Sequence, residues 1–136
     1  KDGSKSRATA DWRAERRDRG RVLYMELRRR RKPIGQASLE ENIASLRESL
    51  LYMYQVLKDE QVDNWWGVGH ALQYMKEGQY VKAAATLMSM YGGMGSFNDF
   101  YTEDRGFSEH QSNAYDAATE VRIKSVVQGI VQLEEA

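Results

Sequence analysis

Apolar residues recur at steps of three and four along one stretch: Leu39, Ile43, Leu46, Leu50, Met53 and Leu57, with Tyr54 alongside. That period predicts an amphipathic helix with one face on a core. Ser38 stands three residues before Glu41, the spacing of a capping box that starts such a helix. The next segment has Asp63 or Asn64 as cap candidates, carries Trp65, Trp66, Gly69, Leu72 and Met75, and stops near Gly78. A third, from about Gln79 to Tyr91, turns Tyr80, Ala83, Ala84, Leu87 and Met88 inward. A last helix runs from Ser108 or Ser112 to Leu133. Its expected apolar face is Tyr115, Ala118, Val121, Ile123, Val126, Val127, Ile130, Val131 and Leu133. No two-residue alternation is sustained anywhere, so the pattern predicts an all-α fold. Its form is a compact helical bundle of four or five main helices with an appended basic N-terminal helix.

That appended helix spans about Asp11 to Arg31 and ends at Pro33, which drives the residue before it out of the helical region. Trp12, Val22, Leu23 and Leu27 are its few large apolar residues, so it holds its place only by docking. Gly20 weakens its middle by about 1 kcal/mol relative to Ala. In the adjoining hairpin, the spacing Tyr74-x3-Gly78-x-Tyr80-x2-Ala83-x3-Leu87 partly resembles a tetratricopeptide unit. One copy predicts a helical hairpin and not a solenoid.

Charge divides the chain where the hydrophobic pattern does. Residues 1–32 hold thirteen Lys and Arg against five Asp and Glu, while 33–136 hold seven against fifteen. A net charge of zero therefore covers a basic arm, residues 1–37 with its linker, and an acidic helical domain over 38–136. The densest run, Arg28, Arg29, Arg30, Arg31 and Lys32, suits phosphate or an acidic protein surface. With 136 residues there is room for one domain of ordinary size. The absence of cysteine removes disulfides, thiolate metal sites and cysteine nucleophiles together. No apolar run approaches the roughly 18 residues of a membrane span, so a soluble, cytoplasmic protein without membrane contact is expected. The first residue is Lys, which leaves a trimmed leader or a larger parent chain open.

The most specific motif is the run from Tyr91 to Asp99, YGGMGSFND. Glycine-rich loops before helix starts can cradle anions, but this one lacks the lysine of a P-loop and follows no strand. The simpler expectation is a structural turn. Gly92 caps the preceding helix, Gly93 and Gly95 supply positive φ, and Ser96 caps a short helical turn with Asn98 and Asp99 inside it.

This loop, after a helical segment with tryptophan and an alanine pair, resembles the signature of a small uncharacterised bacterial domain family. The resemblance covers roughly residues 39–101. It implies binding more than chemistry, because that family carries no shared catalytic acids and bases. Some domains of this size act as immunity proteins beside bacterial toxins, an analogy of size and composition.

No catalytic, cofactor-binding or metal-ligating residues are assigned, and no cofactor is expected. His70, beside an apolar face, reads as a core or interface histidine. His110 can meet Asp104 or Asp116 in space, but no metal-ligand spacing joins the two histidines. Adjacent residues on a helix point about 100° apart, so one of Trp65 and Trp66 is expected at the edge of a contact surface. The leading expectation is a non-catalytic interaction domain, immunity-type or regulatory, with a basic protein partner such as a toxin. Its contact residues would be Trp66, Tyr101, Glu103, Asp104 and Glu109. Nucleic-acid binding through Arg28 to Lys32 is the alternative, opposed by the acidic body. A lesser one is an enzyme using the glycine loop with Ser96, Asn98 or Asp99. A homodimer pairing the arm of one copy with the body of another also fits the charges.

Overall fold

The computed structural model describes residues 36–129. The basic arm, its expected helix and the positions Ile130, Val131 and Leu133 lie outside the described residues. Four helices follow in order: α1 Leu39–Asp59, α2 Trp66–Lys76, α3 Tyr80–Met88 and α4 Phe107–Val127, with a 3-10 turn at Phe97–Asp99 between the last two. There is no strand among the described residues, and the fold is an all-α bundle.

The capping box forms as the spacing predicts. The Glu41 amide donates to Ser38 Oγ at 3.1 Å, and the Ser38 amide donates to Glu41 Oε1 at 3.2 Å. Behind it, α1 buries Leu39, Leu46, Leu50, Met53, Val56 and Leu57, while Ile43 is half-buried and Tyr54 exposed. α2 starts without the expected cap: Trp65 holds the N-cap position, and neither Asp63 nor Asn64 supplies a capping oxygen. The α2–α3 hairpin turns at Gly78, whose φ of +76° suits glycine and whose amide donates to the Met75 carbonyl at 3.1 Å. Ala83 and Ala84 are fully buried in α3, as small residues at a close helix contact should be.

α4 differs from its expected form. Tyr115, Ile123 and Val127 are exposed, and the inner face is built from Phe107, His110, Asn113, Ala114, Ala117, Ala118, Val121 and Ser125. It lies antiparallel to α1. Asn113 Nδ2 donates to Ser45 Oγ at 3.0 Å and Ser49 Oγ at 2.8 Å near one end. Near the other, Lys124 Nζ donates to the Ala37 carbonyl and, at 2.7 Å, to Asn42 Oδ1. Small and polar residues face each other along this seam, and Asn42, Ser45, Ser49, His110 Nδ1 and Asn113 each have a hydrogen-bond partner across it.

Phe97 anchors the segment between α3 and α4. It is fully buried among Tyr91, Trp65, Phe100 and Phe107, with ring centroids 5.1–6.3 Å away. Tilted, edge-on and stacked contacts of this kind add to the burial of each ring.

Candidate interaction surface

Three places in the fold gather polar or aromatic groups, and burial separates them by role. The first is the α1–α4 seam. Ser49 Oγ lies 2.9 Å from His110 Nδ1, His110 stacks on Tyr52 at 4.2 Å, and the Tyr52 hydroxyl donates to Asp104 Oδ1 at 2.5 Å. A serine against an imidazole is the opening pair of many nucleophilic sites. Here Ser49 is wholly inaccessible and His110 only 4% exposed. Ser49 Oγ also accepts from Asn113 Nδ2 at 2.8 Å, so the hydroxyl is engaged by two partners inside the core. The group is structural.

The seam corrects one expected contact residue. Asp104 is 3% exposed and holds the fold internally: Oδ1 accepts from Tyr52 and, at 3.0 Å, from the Gly106 amide. It offers no charge to a partner. His110 does reach the neighbourhood of Asp104, through Tyr52, whereas His70 is exposed and belongs to no core. Sequence reasoning passed over Ser45, Ser49 and Asn113. Their signal was present in α1, where Asn42, Ser45 and Ser49 fall on the same face as the leucines.

The second place is the glycine loop. Gly92, Gly93 and Gly95 all have positive φ, between +79° and +101°. Two of the amides an anion would need are taken. Gly92 N–H donates to Asn98 Oδ1 at 3.3 Å, and Gly95 N–H donates to Asp99 Oδ2 at 2.9 Å. The loop is a turn closed by its own side chains, with two corrections to its expected details. Helix α3 ends at Met88 with Ser89 as its cap, so Gly92 caps nothing. Ser96 sits at the N-cap of the 3-10 turn without a side-chain capping bond; its hydroxyl donates to the Gly93 carbonyl at 2.8 Å.

Beside the loop runs a polar groove of about 470 Å³ lined by Tyr91, Gly92, Asn98, Ser108, Gln111, Ser112, Tyr115 and Asp116. The Tyr91 hydroxyl donates to the Gln111 carbonyl at 2.7 Å. Burial, reinforced by the Asp116 carboxylate and Tyr115, pushes the Tyr91 phenol well above its ordinary range. Tyr91 therefore stays a neutral donor.

The third place is a groove of about 410 Å³ where the end of α1 meets the start of α2, lined by Tyr54, Leu57, Lys58, Val62, Asp63, Trp65, Trp66 and Gly69. Its lining is mostly apolar and aromatic. Trp66 is 71% exposed, yet its indole N–H donates to the Asp63 carbonyl, which fixes the ring. Trp65 turns the other way, onto Phe97 and Phe100. The two tryptophans thus divide between core and surface as their spacing predicts. The Trp65 indole N–H is buried at this groove with no hydrogen-bond partner.

Of the other expected contact residues, Tyr101 is 81% exposed and Glu103 is exposed. Trp65 meets Phe100 with ring centroids 5.8 Å apart, which sets the segments carrying Trp66 and Tyr101 side by side. Glu109 is half-buried, with Oε2 turned inward and without a hydrogen-bond partner. Arg28 to Lys32 lie outside the described residues. Among the described residues, no cluster of His, Asp and Glu could hold a metal ion. None of their helices is long and apolar enough to cross a membrane.

An all-α bundle with a fixed, exposed tryptophan beside an apolar groove is thus the class of structure in hand. A family model described as a domain of unknown function (DUF6966) matches residues 61–106. That stretch holds the α2–α3 hairpin, the glycine loop and the Trp65–Trp66 pair. It supports the resemblance to an uncharacterised domain family, but covers 61–106 where 39–101 was expected, and so leaves out α1. No curated protein and no solved structure matches the chain.

Proposed function

We propose that this protein is a non-catalytic interaction domain that binds a basic protein partner through Trp66 and the groove beside it. The supporting observation is the exposure of Trp66, whose indole N–H is bonded to the Asp63 carbonyl. A large ring held in water by its own hydrogen bond loses little side-chain freedom on contact, which suits a binding anchor. Asp63 lines the groove with Lys58, and Glu60 follows Lys58 at the end of α1. The described residues hold thirteen Asp and Glu against seven Lys and Arg, so a cationic partner is drawn to this body. Tyr101 and Glu103 extend the surface, whereas the buried Asp104 has no part in it.

The test is affinity purification with the full chain and with Trp66→Ser, half of each lysate treated with nuclease. The reading expects a stoichiometric protein that survives nuclease and is lost with Trp66→Ser. Equal recovery by both proteins, or recovery only of nucleic acid, overturns it.

A further inference from the structure

Helix α1 carries an outward strip that nothing among the described residues covers. Ala44, Leu51 and Tyr54 lie along it with Arg47, Glu48 and Lys58 beside them, and all six are exposed. Leu51 is 51% and Tyr54 43% exposed, and Tyr54 continues the strip into the Trp66 groove. Apolar side chains in a row on a surface helix point to a contact. The strip also has mixed charge in balanced places, with Glu48 and Arg47 near its middle.

We propose that two copies of this chain pair antiparallel through this strip, and that the basic run Arg28–Lys32 of each copy lies on the acidic rim of the other's Trp66 groove. The inference rests on the reading of that groove as a site for a basic ligand, and it names the ligand. Position and charge both favour a second copy. The described residues begin at Gln36, next to the start of α1, and the neighbouring Ala37 carbonyl accepts from Lys124 Nζ of α4. The groove is at the opposite end of α1, whose 21 residues span about 30 Å. An arm rooted there reaches its own groove only by doubling back along the whole helix. In an antiparallel pair with Leu51 at the two-fold axis, each arm root instead meets the groove of the other copy. Residues 1–32 bring thirteen Lys and Arg against five acids, while 33–136 bring fifteen acids against seven bases. The contact is used twice, because a two-fold axis repeats it, and the second engagement becomes intramolecular once the first has formed.

Sedimentation velocity on the full chain decides it. The wild type should sediment at twice its 15.7 kDa mass at low salt. It should fall to the single-chain mass as ionic strength rises from about 0.1 to about 1 M, where screening shortens from about 10 Å to about 3 Å. Leu51→Lys places like charges at the axis, and replacing Arg28 to Lys32 with glutamine removes the arm's charge; either should halve the mass at low salt. Circular dichroism shows whether each variant keeps its helices, which an exposed Leu51 and the arm positions should allow. A wild type of single-chain mass throughout, or a dimer that survives either variant, overturns the pairing. The functional reading is judged apart, by whether Trp66→Ser loses the foreign protein: a monomer that retains its partner through Trp66 refutes the pairing alone.

Discussion

Ser49 on α1 and His110 on α4 are hydrogen-bonded at 2.9 Å in a part of the bundle where neither meets solvent. Sixty-one positions apart in the chain, they join the two longest helices among the described residues. The bond is one of several that fix the register of α4 on α1, together with those from Asn113.

Ser49→Ala should cost about 1–3 kcal/mol, because it strips one acceptor from Asn113 Nδ2 and the hydrogen-bond partner of His110 Nδ1 inside the core. Urea unfolding followed by circular dichroism measures it. A midpoint equal to that of the wild type would show that the seam adds nothing.

Gly106 has an ordinary φ, so its requirement is space. A Cβ there would stand 2.7 Å from the Tyr52 hydroxyl, which Asp104 holds in place. Gly106→Ala should destabilise by about 1–3 kcal/mol, as overpacking does. Tyr52→Phe in the same chain removes the clashing oxygen, so the second change should cost less in Gly106→Ala than in the wild type. Additive losses in the double mutant would exclude the clash.

Alkaline stability should report Tyr91. Its phenol ionises higher in the folded chain than at the ordinary value of 10.0, so the unfolded state releases the proton first. Tyr91's contribution is complete below about pH 10 and declines above it, by at most about 1.4 kcal/mol per pH unit. Tyr91→Phe should lose about 1 kcal/mol at neutral pH with its bond to the Gln111 carbonyl. It should then fall less steeply than the wild type between pH 10 and 12. Parallel curves would contradict the burial of this phenol.

Trp66→Ser should leave thermal stability within about 0.5 kcal/mol, the range of surface substitutions without a structural role. A large loss of stability would recast the ring as a packing residue, and an interaction defect in that variant would then say nothing about binding.

The outcome for α1 and for α4 shows what a sequence carries. In α1 the stripe from Leu39 to Leu57 and the Ser38–Glu41 box act through neighbours three and four residues away, and local spacing records them. In α4 the same period misleads. Its bulky apolar residues Tyr115, Ile123 and Val127 are exposed, while His110, Asn113 and Ser125 are buried. The burial of His110 and Asn113 depends on Ser45 and Ser49 across the seam, a pairing that no spacing within α4 contains. Asp104 was misread for the same reason, since a carboxylate in a loop reads as solvated until Tyr52 and Gly106 close on it. The surface was more legible: the angle between neighbouring helical positions separates Trp65 from Trp66 whatever the rest of the fold does.

The self-closed loop has a practical side. Met94 is fully exposed at its tip, while Gly92 and Gly95 on either side are tied to Asn98 and Asp99. Those bonds hold the base of the loop, and nothing in the core depends on the residue at the tip. The tip is therefore a point on the body where a fluorophore, an affinity tag or an inserted domain can be attached.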